Sequence, residues 1–372
     1  MTHFLEMIIN LFYYVIPFII VICVLVFVHE LGHYSIARYF GVKVEEFSIG
    51  MGKEIWGKTD KNGTRWKFSA IPVGGYVMMF GDKDPSSAPN AEDIKKMTDE
   101  EKSISLYGKK PWQRILVSFG GPFANIIYAF VAVFFVYISF GNVRNTEYID
   151  KVYAGTPAFT SGLLAGDRIF AINGTDIHGA EDAIKAIQAS SDSVSVTVLR
   201  DNNEMSFVIP FENPNKKMLG VTFKREYQKQ GFIESTVKSF NDTVSYIKAI
   251  FMGMVRIFTG GVSLKQFGGP VAIAGVFGDI SKTGDIAYLI FFSAILSINL
   301  AIFNLIPLPA LDGGNIFVDF IEILINKPLS LRLREMWNTV GIIFLILLMI
   351  VATYSDILKL SFMKKLLSIF GF

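Results

Sequence analysis

Cysteine and histidine are both scarce in this chain of 372 residues. The single cysteine, Cys23, lies inside an apolar run, and the lack of a second cysteine excludes an intramolecular disulfide framework and a cysteine-rich metal site. A bound metal ion would therefore need histidine and carboxylate ligands. Only four histidines are available for such a site, namely His3, His29, His33 and His178.

An excess of charge of one sign is also missing. The chain has 35 basic and 33 acidic residues, so its net charge of +2 gives no reason to expect a nucleic acid or polyanion as partner. Charged residues make up only 18% of the chain, whereas hydrophobic residues make up 51%. Such a composition lies outside the usual range of soluble globular domains and predicts a membrane protein.

Four apolar runs have about the length that a membrane span requires. The hydrocarbon core of a bilayer is about 30 Å thick and needs roughly 20 helical residues to cross it. The runs cover residues 7–28, 115–140, 286–311 and 337–354. No basic residue precedes the first run, which is longer than a typical signal-peptide core, so we expect it to stay in the membrane.

The distribution of basic residues favours an N-terminus outside the membrane. Residues 40–114 contain thirteen lysines and arginines and residues 1–6 contain none, which places the first loop inside by the positive-inside rule. The same loop holds eleven acidic residues, and Lys359, Lys364 and Lys365 favour the opposite orientation of the tail. With four spans, residues 141–285 are expected outside.

The outer segment predicts a small α+β domain followed by a helix. Strand-like runs with turn signals cover residues 148–152, 168–172 and 194–199, and residues 181–189 fit a short helix. Residues 233–258 carry apolar side chains at spacings of three and four, the pattern of an amphipathic helix. That helix is expected to lie against the membrane or the helical bundle, or alternatively against the neighbouring domain.

The first loop predicts a β-hairpin beside the spans. Lys61-Asn62-Gly63-Thr64 indicates a two-residue turn, and alternating aromatic and polar residues flank it. The element is expected to be membrane-associated, with its backbone buried by protein or lining a wet cavity. The predicted order is a first helix (1–40), the β element and loop (41–114), a second helix (115–140), the small domain (141–228), an amphipathic helix with connector (229–285), a third helix (286–311), a loop (312–336), a fourth helix (337–354) and a tail (355–372).

The segment His29-Glu30-Leu31-Gly32-His33 fits the HExxH pattern of zinc proteases. Two histidines four residues apart project from one helix face and can share a zinc ion, and Glu30 would take a proton from the zinc-bound water. Ionisable side chains at membrane depth are costly and usually functional. The alternative is that His29 and Glu30 only cap the inner end of the first span.

A catalytic zinc site normally has three protein ligands, and Asp312 is the best candidate for the third. It follows the third span, and the expected topology brings it to the same side as His29. The alternative is a turn at the membrane boundary. Pro307 and Pro309 interrupt the helix and leave backbone groups for an extended substrate, and Asn304 either holds that substrate or bonds to a neighbouring helix.

Taken together, the motifs resemble those of the site-2 protease family, peptidase family M50, in its bacterial branch with a PDZ domain. Besides the HExxH segment, the resemblance rests on Leu311-Asp312-Gly313, Phe47-Ser48-Ile49-Gly50-Met51-Gly52, Ile71-Pro72-Val73-Gly74-Gly75-Tyr76-Val77, Gly120-Gly121-Pro122-Phe123-Ala124-Asn125 and Gly268-Gly269-Pro270. The outer domain is similar to a PDZ module in residues 156–174. The chain has room for one such domain only, and Asn315 stands where relatives often have histidine.

The resemblance implies an intramembrane zinc endopeptidase of the bacterial inner membrane with one zinc ion per chain. His29, His33 and Asp312 would bind zinc, Glu30 would be the base, and the β element would present an edge to the substrate. Expected substrates are single-span membrane proteins, such as anti-sigma factors already cut by a site-1-type protease, or remnant signal peptides. The active site would lie near the cytoplasmic side and the PDZ-like domain in the periplasm.

Two other function classes remain as alternatives. The first is a non-catalytic membrane scaffold that binds peptides through its PDZ-like domain. The second is a transporter, which would require ionisable groups facing each other in further spans, and the second and fourth runs have none.

Overall fold

A computed structural model describes residues 2–82, 96–211, 217–259 and 269–359. Gly268 of the second Gly-Gly-Pro motif and residues 360–372 of the predicted tail lie outside these ranges. The chain forms two compact units, one of Met1–Phe135 with Thr236–Phe372 and one of Val136–Ser235.

The described residues form ten helices and eight strands. In chain order they are α1 (Thr2–Tyr39), β1 (Val44–Thr59), β2 (Arg65–Met79), α2 (Asp99–Ile104), α3 (Pro111–Ser139), β3 (Asn142–Val152), α4 (Pro157–Thr160), β4 (Arg168–Ile172), β5 (Thr175–Asp176), α5 (Ala180–Ala189), β6 (Ser193–Arg200), β7 (Asn203–Pro210), β8 (Val221–Gln228), α6 (Phe232–Phe258), α7 (Pro270–Thr283), α8 (Ile286–Asn304), α9 (Asp312–Ile325) and α10 (Leu331–Lys359).

Four helices within the described residues are long and apolar enough to cross a membrane, as the sequence predicts. The qualifying segments are Phe12–Tyr39, Pro111–Ser139, Ile286–Asn304 and Arg332–Tyr354. The third ends seven residues earlier than the predicted residue 311. Pro307 and Pro309 lie directly beyond it, and proline cannot supply the N–H that continues a helix.

The segment after the third span also differs from the prediction. Residues 312–336 were expected to form a loop, but their first part forms α9, which begins at Asp312. The two glycines after Asp312 allow this helix to pack on the chain between α8 and α9. A Cβ atom at Gly313 would lie 2.3 Å from the carbonyl oxygen of Ile306, and one at Gly314 would lie 2.1 Å from that of Leu308.

The β element between the first two spans is a strongly bent antiparallel pair of β1 and β2. Residues 54–59 pair with 65–69, and residues 44–49 pair both with 65–68 and with 75–79. The connection is longer than the predicted two-residue turn because residues 60–64 all lie between the paired strands. The Asp60 carboxylate closes this loop by accepting hydrogen bonds from the backbone N–H groups of Asn62 and Thr64.

Aromatic side chains fix this β element against α1. The rings of Phe47 and Trp66 stack with their centroids 4.4 Å apart, and Tyr34 of α1 makes an edge contact with each. Phe27, Leu31 and Tyr34 lie on one face of α1 and pack on the same apolar cluster. The opposite face of α1, which carries His29 and His33, is thereby left for the other helices.

The second unit is an α+β domain, in agreement with the class expected for residues 141–228. Its sheet has the order β7-β6-β4-β3-β8, with β5 paired to β4. Apolar side chains from the strands and from α5 form its core, including Ile149, Ile169, Ile172, Val196 and Ile187. The predicted amphipathic helix of residues 233–258 is present as α6.

Candidate metal centre and active site

The structure brings together the three residues expected to bind a metal ion. His29 and His33 lie one turn apart on α1, and Asp312 is the first residue of α9. The Nε2 atom of His29 is 3.2 Å from Asp312 Oδ2, and that of His33 is 3.4 Å from Asp312 Oδ1. The two Nε2 atoms are 3.2 Å apart. All three side chains are largely buried.

The spacing of these atoms fits a zinc ion. Zinc bonds to histidine nitrogen and carboxylate oxygen of about 2.0–2.2 Å, at tetrahedral angles, place ligand atoms about 3.3–3.5 Å from one another. The separation of the two Nε2 atoms lies within about 0.2 Å of that range, and so does the distance from each of them to one Asp312 oxygen, Oδ2 for His29 and Oδ1 for His33. Two imidazole nitrogens and a carboxylate oxygen are also a donor set that zinc accepts, with a fourth position open for water or substrate.

Neither alternative reading of these residues matches the geometry. His29 and Glu30 do not cap the end of their helix, because α1 continues to Tyr39. Asp312 is not merely in a turn, since it starts a helix and meets both histidines.

Glycines of α3 allow the histidines to be this closely enclosed. A Cβ atom at Gly121 would lie 2.3 Å from His33 Nε2 and 2.7 Å from His29 Cε1. At the adjacent residue Gly120, the helices touch backbone to backbone, since a Cβ at Gly32 would lie 2.1 Å from the Gly120 carbonyl oxygen. The second span therefore forms a wall of the site.

Replacing Gly121 by alanine is expected to lower the zinc content of the purified protein well below that of the wild type. The added methyl group needs the space that the His33 ring occupies, and that ring is held at Nδ1 by the Val117 carbonyl oxygen, 2.8 Å away. The matched control is Gly275→Ala in α7, where no atom lies within 4 Å of the added Cβ. Metal analysis should distinguish the two, and equal zinc in both variants would contradict the expected clash.

Glu30 lies between the histidine face of α1 and the face that packs on the β element. It is partly buried, and a Cβ atom at Gly75 of β2 would lie 3.4 Å from its Cγ. Within the described pairing, residues 75–79 form an outer strand that pairs with residues 44–49. Glu30 thus lies beside a strand edge as well as beside the ligands.

The three residues expected to bind substrate occupy different surroundings. Asn304 ends α8, and its Nδ2 is 3.4 Å from His29 Nε2, so it does lie at the site. Pro307 is exposed, while Pro309 packs against α10, where a Cβ at Gly341 would lie 2.2 Å from its carbonyl carbon. The chain from 305 to 311 is unwound, as the two prolines predict.

Two groups around the histidines were not assigned a role from the sequence. The Val117 carbonyl oxygen lies 2.8 Å from His33 Nδ1, and the Asn125 amide nitrogen lies 3.1 Å from His29 Nδ1. A backbone carbonyl has no sequence signal. Asn125 has one, because an amide inside an apolar span is unusual and bonds to a neighbouring helix.

Comparison with known proteins identifies the family. The sequence pattern of "Peptidase family M50" matches residues 17–348, which include the histidine pair and Asp312. The chain belongs to peptidase family M50. A family M50 relative from Agrobacterium fabrum is 34% identical over 363 residues, covering 93% of this chain and 96% of the relative.

Two further relatives are matched over nearly their whole length and have similar names. A protein of Rickettsia conorii is 34% identical over 361 residues, covering 93% of this chain and 99% of its own. A protein of Clostridium perfringens is 33% identical over 349 residues, covering 93% of this chain and 98% of its own length. All three relatives are named as zinc metalloproteases. This M50 chain is therefore a zinc-dependent metalloprotease, and its four apolar helices indicate a membrane protein.

Proposed function

We propose that this protein is an intramembrane zinc endopeptidase of the site-2 type, which cleaves single-span membrane proteins within or near the bilayer. His29, His33 and Asp312 bind one zinc ion, and Glu30 is the catalytic base. The observation that carries the proposal is the convergence of these three ligands beside Glu30, with both histidines in the middle of an apolar helix. Such costly groups at membrane depth are expected where they have a function.

Each residue has a role that follows from its place. Zinc, when bound, polarises the scissile carbonyl and makes a water molecule more acidic. Glu30, one residue from His29, takes the proton of the attacking water and donates a proton to the leaving amine. The Asn304 amide, 3.4 Å from His29 Nε2, is placed to donate a hydrogen bond to a bound peptide.

A transmembrane substrate must be unwound before one of its peptide bonds can react, because helical hydrogen bonds hide its backbone. The outer strand at residues 75–79 gives such a segment a backbone to pair with, close to Glu30. The unwound chain around Pro307 and Pro309 offers further backbone groups. Exposed apolar side chains of the β element support its membrane association, among them Ile55, Trp56, Phe68 and Ile71.

The second unit is proposed to be a PDZ-like domain that filters substrates on the periplasmic side of the inner membrane. Its strand β8 lies at the end of the sheet order, where a peptide could be added as a further strand. The proposed substrates are stubs already shortened by a site-1-type protease, such as anti-sigma factors, or remnant signal peptides. The active site would then lie towards the cytoplasmic side, in agreement with the basic first loop.

Metal content tests the proposed ligand set. We expect about one zinc ion per chain in detergent-purified wild type and a marked loss in His33→Ala and Asp312→Ala, because each removes one of three protein ligands. His178→Ala is the control, since His178 is an exposed residue of the second unit. Full zinc in either ligand variant would contradict the site.

Cleavage in a bilayer tests the reaction. The full chain, reconstituted in liposomes with a single-span substrate, is expected to cut a peptide bond inside the substrate's apolar segment, as located by mass spectrometry. Removal of zinc with a chelator should stop cleavage and zinc should restore it. Cuts found only in the substrate's soluble parts would contradict the intramembrane proposal.

A further inference from the structure

The two histidines differ in what holds their second ring nitrogen. His33 Nδ1 lies 2.8 Å from the backbone carbonyl oxygen of Val117, which can only accept a hydrogen bond. The proton of His33 is therefore held on Nδ1, and its Nε2 lone pair is left free to face Asp312. Among the residues that the structure describes, no carbonyl group has this role for His29. Its Nδ1 faces the side-chain amide of Asn125, at 3.1 Å from Nδ2.

Asn125 is a completely buried polar residue of an apolar span. Its Oδ1 has no hydrogen-bond partner among the described residues. Its backbone carbonyl oxygen accepts a hydrogen bond of 2.9 Å from Ser297 Oγ, which ties this point of α3 to α8. Burying an amide whose oxygen makes no hydrogen bond is energetically unfavourable in a protein interior. The presence of Asn125 at this position therefore calls for a physical reason.

The oxygen and nitrogen of an asparagine side-chain amide can exchange positions, and the hydrogen-bond network decides which of the two atoms faces a neighbour. With Nδ2 towards His29, the ring must accept at Nδ1 and carry its proton on Nε2, the atom that faces Asp312 and His33. With Oδ1 towards His29, the ring donates from Nδ1, and Nε2 keeps a lone pair for a metal ion. Only the second orientation is compatible with zinc bound at Nε2.

We infer that Asn125 is a positioning residue for the metal centre: its Oδ1 accepts the Nδ1–H of His29 and so holds that ring in the tautomer and orientation that bind zinc. The inference rests on the proposed ligand set of His29, His33 and Asp312. It places the two histidines in the same tautomer, His29 through the side chain of Asn125 and His33 through the Val117 carbonyl. Outer partners of metal-binding histidines commonly act in this way.

Zinc affinity of the full chain in detergent, measured by competition with a chromogenic chelator, tests this role. Removing such a partner typically weakens metal binding about 10–100-fold, and we expect that loss for Asn125→Ala. Asn125→Asp should restore an affinity close to wild type, because a carboxylate oxygen also accepts the Nδ1–H. The control is Tyr128→Phe on the same helix as Asn125, which removes a hydrogen bond between Tyr128 and Ser293 of α8. Wild-type affinity in Asn125→Ala would overturn the inference.

The tautomer itself can be observed by ¹⁵N NMR of histidine-labelled protein loaded with zinc. The chain has only four histidines, and single His→Gln variants assign their signals. We expect the His29 proton on Nδ1 in the wild type and in Asn125→Asp. A proton-free Nδ1 in the zinc-loaded wild type would overturn the inference, even if Asn125→Ala proved too unstable to purify.

These outcomes separate the role of Asn125 from the zinc site itself. If the wild type binds no zinc, or if His33→Ala binds it as well as the wild type, the proposed ligand set fails. If the wild type binds zinc through those ligands but Asn125→Ala binds it equally well, the ligand set stands and only the role of Asn125 is lost.

Discussion

Replacing Glu30 by glutamine is expected to abolish peptide cleavage while zinc stays bound. Glutamine has nearly the same shape as glutamate but cannot take a proton from the attacking water. General acid–base catalysis contributes about 10²–10⁴-fold to rates, so we expect a loss of that size. The neighbouring residues His29 and His33, the proposed ligands, are expected to keep their places because all three residues lie on the continuous helix α1. Single-turnover cleavage and metal analysis on the same samples would measure both properties.

The control for this variant is Glu45→Gln, which removes one carboxylate from β1 of the same unit. Glu45 pairs with Lys43 at 3.5 Å near the surface, and its loss should leave both cleavage and zinc unchanged. Wild-type turnover by Glu30→Gln would show that another group accepts the proton. Loss of zinc together with cleavage would instead show that the Glu30 charge maintains the metal centre.

Replacing Arg114 by methionine is expected to destabilise the protein by about 3–5 kcal/mol, the usual cost of leaving a buried charge without its partner. Arg114, at the start of α3, forms an ion pair with Asp319 at 3.0 Å and another with Glu322. Arg334 of α10 pairs with the same two carboxylates. None of the four side chains is more than 12% exposed.

Burial of this ion-pair cluster opposes the negative charge on Asp319. Burial raises the pKa of Asp319 above its usual value, although Arg334 and Arg114 both oppose that change. With two positive and two negative groups the cluster is balanced, and removing Arg114 leaves a net negative charge inside the protein. Thermal unfolding in detergent should therefore show a clear loss for Arg114→Met.

The control is Arg332→Met, which removes an exposed arginine two residues from Arg334. It should unfold close to the wild type, since exposed charges contribute little. The double variant Arg114→Met with Asp319→Asn should recover part of the loss, because it restores the charge balance. Equal stability of Arg114→Met and Arg332→Met would show that the cluster does not hold the three helices together.

The sequence predicted the parts of this protein that depend on local pattern. The four apolar runs, the histidine pair of HExxH, the helix break at Pro307 and Pro309 and the amphipathic helix α6 follow from composition and spacing alone. Asp312 was chosen as a third ligand from its position after a span, and the structure places it beside both histidines.

What the sequence could not supply are pairings between distant residues. Arg114 reads as one more basic residue at a membrane boundary, and its partners Asp319 and Glu322 lie about 200 positions later. Asn125 belongs to a recognised motif, but its contact with His29 depends on how α3 crosses α1. The loop at residues 60–64 was predicted too short because the closing hydrogen bonds of Asp60 outweigh the local preference of Asn62-Gly63.

The distance along the chain between the histidine pair and Asp312 has a consequence for the newly made protein. HExxH is synthesised well before its proposed partner Asp312, because α1 precedes α9 in the chain. A ribosome-bound fragment that ends before α9 contains the proposed base and two of the proposed ligands but lacks the third. The protease would therefore stay inactive while its first spans are inserted, and it would acquire the ability to cut membrane proteins only after α9 has been synthesised.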